Sequence, residues 1–357
     1  MSNATPSPDP ARSAHPGSAL FEEYYDRLMA IARQRMEIEW SSHRLGHLQY
    51  LRPDLLELHR EFGALLRVVF RYGLAEALRE EVRWFAAVLA NRKSPHDALV
   101  LLLDSWIVAI QGLVQPPECN LLAAPLKGLR EALPSLLSET PRAPGSDAPV
   151  KAIIGKLITG DLAGARAILG GRLDAGIPPY DLVPALLLAA MSEIGSRWEQ
   201  DTLRIFEEHL ATEATVRLLG ELPAMASPVP SIGRKALVSG VPDDHIQIVP
   251  MALAVYLELR GWTALSLGHG LPASQLAAAI ETLRPDAVFL SLSMVARIPG
   301  ALETLQHLDR APHRPPVIVG GRGALLAKAL LESSGALVAN SFDHAHRLAM
   351  AEGGGHA

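Results

Sequence analysis

Between Ala19 and about Leu137 apolar residues recur every three or four positions. Leu55, Leu56, His59, Phe62, Leu65, Leu66, Val69 and Phe70 form one stripe, and Leu78, Val82, Phe85, Val88 and Leu89 another. That spacing predicts amphipathic helices. It breaks at Gly73, at Lys93-Ser94-Pro95 and at Pro116-Pro117, so residues 18–138 read as an all-α domain of five or six helices. Residues 1–17, rich in Pro and Ser, read as a disordered tail, and 139–148, rich in Pro, Gly and Ser, as a linker. Helical spacing resumes in four pieces, 150–158, 161–173 with Asp161 as N-cap, 178–198 and about 203–222, which predict a four-helix bundle over 149–226.

Beyond the break Ser227-Pro-Val-Pro-Ser231 the period changes. Short apolar runs at 235–239, 263–267, 287–290, 317–319 and 336–338 alternate with helical patterns at 250–260, 273–283, 300–308, 323–331 and 344–350. Buried strands alternating with helices predict a flavodoxin-like, Rossmann-like α/β domain over 227–357, with a five-stranded parallel sheet covered on both faces. Such a sheet binds ligands beyond the carboxyl ends of its strands, where strand order reverses.

Composition narrows the function classes. The chain has 357 residues, 49% hydrophobic and 20% charged, with a net charge of -5, enough for two or three domains with cores of their own. No run of Lys and Arg makes an electrostatic footprint for nucleic acid, so direct nucleic-acid binding is not expected. A single cysteine, Cys119, supports neither an internal disulfide nor a cysteine-based metal site, which fits a reducing, cytoplasmic setting. The N-terminus has no signal-peptide core, and no stretch approaches the roughly 18 to 20 uncharged apolar residues of a membrane span, so no membrane association is expected.

Two segments carry candidate chemistry. The loop after the first predicted strand reads Gly240-Val-Pro-Asp-Asp-His245 where a nucleotide-binding fold would place a glycine-rich phosphate turn, so a dinucleotide site is disfavoured. An Asp two residues before a His can fix the tautomer of a metal-ligating imidazole; equally, Asp243 or Asp244 can cap the next helix beside an incidental surface His245. The second segment runs from Met191 to His209. Trp198 ends one predicted helix and Glu208-His209 lie in the next, so they either face one space or serve as a core residue and a solvated face.

Together, the Trp, nine residues, Glu-His pattern and the Asp-x-His after the first strand resemble the cobalamin-binding module of methionine synthase and, more closely, of the adenosylcobalamin photoreceptors of the CarH type. The resemblance covers about 149–351. It implies that His245 ligates cobalt from the lower face with Asp243 orienting it. It further implies that Ser291, Ser293, Gly320 and Gly321 line the pocket for the cofactor's dimethylbenzimidazole tail, and that Trp198, Glu208 and His209 surround the adenosyl group. The sequence departs from the family in carrying Ile248 where the motif has glycine and Glu199 where the photoreceptors have a second cobalt-seeking histidine. Residues 19–137 look nothing like the photoreceptors' basic winged-helix module.

The N-terminal helical domain holds His43, His47, His59, Arg67 and Arg71. Arginines on helices suit tetrapyrrole propionates. A globin-like helical domain fused to an adenosylcobalamin module is similar to the photocobilins, which implies non-covalent binding of a bilin such as biliverdin; a dimerisation or partner-docking domain is the other reading of the same residues. The resemblance thus implies a light sensor whose Co–C photolysis changes conformation or the state of a homo-oligomer, and through it a downstream protein partner. A corrinoid methyl carrier, a mutase cobalamin subunit and a cobalamin store or chaperone are the alternatives.

Overall fold

The computed structural model describes residues 14–42, 48, 52–89, 95–138, 147–199 and 202–352. The chain divides into two compact units, Met1–Pro141 and Arg142–Ala357. Among the described residues the first is built of five helices: α1 (Ser18–Ser41), α2 (Arg52–Tyr72), α3 (Ala75–Leu89), α4 (Pro95–Leu113) and α5 (Glu118–Ser138). Helix α4 corrects one expectation, because its window His96–Leu113 is long and apolar enough to cross a membrane, and 56% of that window is buried inside the protein. The burial has a local cause. Helix α4 packs against α1 and α5, and its Trp106 is fully enclosed, stacked on Phe21 and edge-on to Phe62. A helix that is apolar on nearly all sides can equally be the centre of a helical core, and α4 is.

His59 on α2 is only 2% exposed. Its Nε2 lies 3.1 Å from the Met29 carbonyl on α1, and its ring centroid lies 5.4 Å from that of Trp106. Burial holds its pKa below the ordinary histidine value, offset in part by the Met29 carbonyl and reinforced by the charge of Arg33.

The second unit begins with the bundle: α6 (Ala148–Leu157), α7 (Leu162–Asp174), α8 (Pro179–Leu182), α9 (Ala189–Glu199) and α10 (Ile205–Met225). Helix α6 starts at the end of the segment read as linker, of which 139–146 lie outside the described residues. Asp161 caps α7 as expected, its carboxylate accepting from the Gly164 amide at 2.9 Å. The single helix expected over 178–198 is instead interrupted by a π-helical stretch, Val183–Leu188. Pro184 in that stretch has no amide hydrogen to donate, and the ladder resumes with the Ala189 amide reaching back five residues to the Pro184 carbonyl.

The α/β part runs β1 (Lys235–Gly240), α11 (Ile248–Glu258), β2 (Thr263–Ser266), α12 (Ala273–Leu283), β3 (Ala287–Ser291), α13 (Ile298–Asp309), β4 (Val317–Gly320), α14 (Arg322–Leu326), α15 (Lys328–Ser333), β5 (Leu337–Ala339) and α16 (Phe342–Glu352). The expected helix 323–331 is two short ones that break at Ala327. All strand pairs are parallel and their order is β2-β1-β3-β4-β5, the flavodoxin-like order whose reversal falls between β1 and β3. Helix α11 buries residues around most of its circumference, Pro250 and Ala252 through Leu257. It packs on β1 and β2 and against the π-helical stretch and α10 of the bundle, so bundle and sheet share one hydrophobic core. At the border Arg260 stacks over Tyr180 of α8 and over Tyr256, and donates to the Tyr256 hydroxyl and to Asp343.

Because the His59 pKa is depressed in the folded protein, the neutral ring contributes stability that is present above its unfolded value of 6.5 and lost as pH falls toward the folded value. The thermal midpoint of the first unit is therefore expected to fall on acidification below pH 6.5, and His59→Gln should flatten that slope; scanning calorimetry from pH 7.5 down through the acidic side of 6.5 checks it.

Candidate functional site

The carboxyl ends of β1, β2, β3 and β4 carry the loops that hold the candidate residues. After β1, Asp243 adopts a left-handed backbone, φ 62°, which Asp tolerates better than most residues. The turn leaves Asp243 and His245 exposed and sends Asp244 inward, where it is 1% exposed. The Asp244 carboxylate accepts from the Ser293 amide at 2.6 Å, the Ser293 hydroxyl at 2.9 Å and the Ile246 amide at 3.1 Å. The β1 loop is thereby tied to the β3 loop across the point where strand order reverses. This differs from the expectation that Asp243 orients His245: among the described residues no hydrogen bond joins the two, and the anchoring carboxylate is one position later. Ser293 is accordingly engaged with Asp244 and does not line the neighbouring cavity.

That cavity, about 370 Å3, lies between α11 and the ends of β3, β4 and β5. Val249, Pro250, Leu253 and Phe289 give it apolar walls, and Ser291, Gly320 and Gly321, all singled out from sequence, also line it. Gly321 has φ 112°, and a Cβ there would fall 2.3 Å from the Leu292 carbonyl oxygen, so only glycine lets the β4 turn pass this close to the β3 loop.

In the bundle Trp198 is half-buried near the end of α9. Glu208 in the first turns of α10 accepts from the Thr212 hydroxyl at 2.8 Å and pairs with Nδ1 of the exposed His209 at 3.0 Å. The same turns leave Ile205, Phe206 and Leu210 exposed. The Trp198 group and the His245 group lie in one compact unit, but no hydrogen bond, ion pair or ring contact joins them among the described residues.

Sequence reasoning passed over Asp244, which looked like a helix cap, and His269. The latter sits in the β2 loop between Gly268 and Gly270, both with positive φ, and its ring centroid is 6.2 Å from that of His245, nearly perpendicular. The signal was available: a histidine bracketed by glycines at the carboxyl end of a predicted strand.

In the N-terminal unit the expected cluster is only partly together. His43 and His47 lie outside the described residues. His59 lines a cavity of about 570 Å3 with Met29, Arg33, Leu56 and Arg60. Arg67 and Arg71 do not line it. Arg67 forms a two-pronged ion pair with Glu22 and stacks on Tyr25, and Arg71 stacks on Tyr72. Both lie two to three turns along α2 from Arg60, a displacement of roughly 10 Å or more. Cys119 is buried.

Residues 150–222 and 234–345 each match a model of the B12 binding domain. The C-terminal unit is a B12-binding module. Its two halves coincide with the bundle and with the sheet whose β1 loop carries His245. Among curated proteins the chain is 31% identical over 160 residues to the HTH-type transcriptional repressor CarH of Myxococcus xanthus and 34% identical over 156 residues to CarA of the same organism. These alignments cover 44% and 43% of this chain and 52% of each relative. The trimethylamine corrinoid protein of Methanosarcina barkeri is 26% identical over 165 residues, 44% of this chain and 75% of that protein. The chain thus spans about half the length of the two repressors it matches.

Asp244→Ala strands the Ser293 amide and hydroxyl, a loss of charge-assisted hydrogen bonds expected to cost about 1.5–3 kcal/mol. Asp243→Asn, which keeps the tolerance for a left-handed backbone, should stay within about 0.5 kcal/mol of the parent. Urea midpoints for the second unit compare the two, and equal losses would restore Asp243 as the anchor.

Proposed function

We propose that the protein is a light sensor holding adenosylcobalamin between its bundle and its α/β domain. The reading is carried by one observation, that both halves of a B12-binding module are matched in a chain that aligns over 43–44% of its length with the repressors CarH and CarA at over 30% identity. The residues fit the group. An exposed imidazole stands at the sheet's carboxyl edge, and the cavity beyond it has the apolar walls and the Gly321 approach that a flat aromatic tail requires. When bound, the cofactor supplies a Co–C bond that light breaks.

In this reading His245 is the lower axial ligand, on a loop fixed by Asp244 and Ser293, with Asp243 beside it. Ser291, Gly320 and Gly321 hold the tail. Trp198, with Glu208 and His209, covers the upper face, its indole suited to a purine and the polar pair to a ribose. The apolar first turns of α10 exclude water there. Release of a group packed against α9 and α10 removes contacts that hold the bundle over the sheet, which favours a change in conformation or in the state of a homo-oligomer, read by a protein partner. The alignment with the trimethylamine corrinoid protein, which extends over 75% of that protein, favours a methyl carrier as the second reading. A methyl group needs only a small apolar cap, so the Trp198 face separates the two.

Absorption spectra of the protein with adenosylcobalamin, before and after green light, test the main reading: photolysis with a shifted elution volume supports it, and an inert spectrum sinks it. His245→Ala should weaken cobalamin binding at least about tenfold and alter the spectrum of the bound cofactor. Trp198→Ala should weaken adenosylcobalamin more than methylcobalamin, and the reverse order would favour the methyl carrier.

The same proposal extends to the N-terminal unit as a globin-like domain that binds biliverdin without a covalent bond. The cavity beside His59 supports this, with Arg33 and Arg60 on its wall, which propionates would draw from their exposed ion pairs with Glu37 and Glu57. Biliverdin should then give a red-shifted band that survives desalting and is lost in Arg33→Ala/Arg60→Ala. Without such a band the unit is left as a dimerisation or docking domain.

A further inference from the structure

His245 and His269 stand on neighbouring loops at one edge of the sheet, and both are exposed. Their ring centroids are 6.2 Å apart at an interplanar angle of 89°. Neither ring nitrogen is engaged by another group among the described residues. Two imidazoles that share one metal ion, each with a metal–nitrogen bond of about 2.0–2.1 Å, have centroids roughly 5 to 6.5 Å apart depending on the angle at the metal. The observed separation lies at the wide end of that range, and both side chains are exposed, so rotamer changes can bring them onto a common ion.

The backbone beneath the pair is fixed. The Gly240 amide donates to the Gly268 carbonyl at 2.8 Å, which stitches the end of β1 to the loop that carries His269. A Cβ on Gly240 would come within 3.3 Å of the His269 Cβ, so the two loops touch at a point where only glycine leaves full clearance. On the other side Asp244 and Ser293 hold the start of the His245 segment. Two imidazoles on loops held in this way lose little backbone freedom when they close on an ion, the condition under which a two-ligand site gains affinity over two independent histidines.

We propose that His245 and His269 form a two-imidazole site for a borderline divalent transition-metal ion of the copper, nickel and zinc class in the cobalamin-free protein. Water completes the coordination, and imidazole is the ligand these ions favour. Because the ion takes His245, it and cobalamin exclude each other; this exclusion rests on the proposed role of His245 as cobalt ligand, whereas the metal site itself does not. His269 would then make the empty module responsive to free metal and set a threshold that cobalamin must overcome.

Cu2+ alone is the probe, titrated into the untagged, cobalamin-free full chain and followed by electron paramagnetic resonance. One tight equivalent with two equivalent nitrogen couplings is expected. His245→Ala and His269→Ala should each remove one nitrogen and weaken binding at least about tenfold, and the double variant should bind no tighter than either single one. Since both side chains are exposed, the variants are expected to keep the parent's circular dichroism. A nitrogen count and affinity unchanged in either single variant would overturn the proposal. Hydroxocobalamin added to the copper-loaded protein should release the copper as it binds. Copper that stays bound with both nitrogens beside stoichiometric cobalamin would overturn the exclusion and the role of His245 toward cobalt, while leaving the copper site in place.

Discussion

Helix α11 is apolar around most of its circumference, and an element of that kind has to be enclosed on every side. The sheet covers one side of it and the bundle another, so the second unit has one core and not two. The site depends on this. The amino end of α11 follows directly on the His245 loop, and its first turns, Val249, Pro250 and Leu253, wall the cavity that reaches under the sheet's carboxyl edge. A bundle of short helices is thus joined to the sheet through a shared core, with Arg260 stacked between Tyr180 and Tyr256 at the border.

The strand order supplies the second constraint. Reversal between β1 and β3 leaves their following loops to splay apart unless something ties them, and a buried carboxylate with three donors does so here. That arrangement makes Asp244 structural and leaves its neighbours, Asp243 and His245, exposed. Glycines do complementary work where backbones meet. Gly321 admits the β4 turn against Leu292, and Gly240 admits the β2 loop that presents His269.

In the N-terminal unit a different balance holds. Trp106, Phe21, Phe62 and His59 interlock at the centre, and the neutral imidazole is tolerated there because a main-chain carbonyl takes one of its nitrogens. Its cavity lies toward the amino end of α2, while the arginines farther along that helix are spent on Glu22 and on tyrosine faces.

Much of this was legible in the sequence. Period alone located the strands and most of the helices, because an alternation of buried strands with helices leaves few topologies, and Asp161 announced its cap. The motif residues Trp198, Glu208, His209 and His245 were visible as types at fixed spacings. Tertiary structure decided the rest. Whether Asp243 or Asp244 turns inward hangs on a backbone angle that adjacent identical residues do not reveal. The π-helical turn at Pro184 depends on how the chain re-forms its ladder around a missing donor. The apolar stretch of α4 became a core helix only because four other helices were there to cover it. The nearness of His269 to His245 exists only once β1 and β2 lie side by side, since they stand 24 positions apart along the chain.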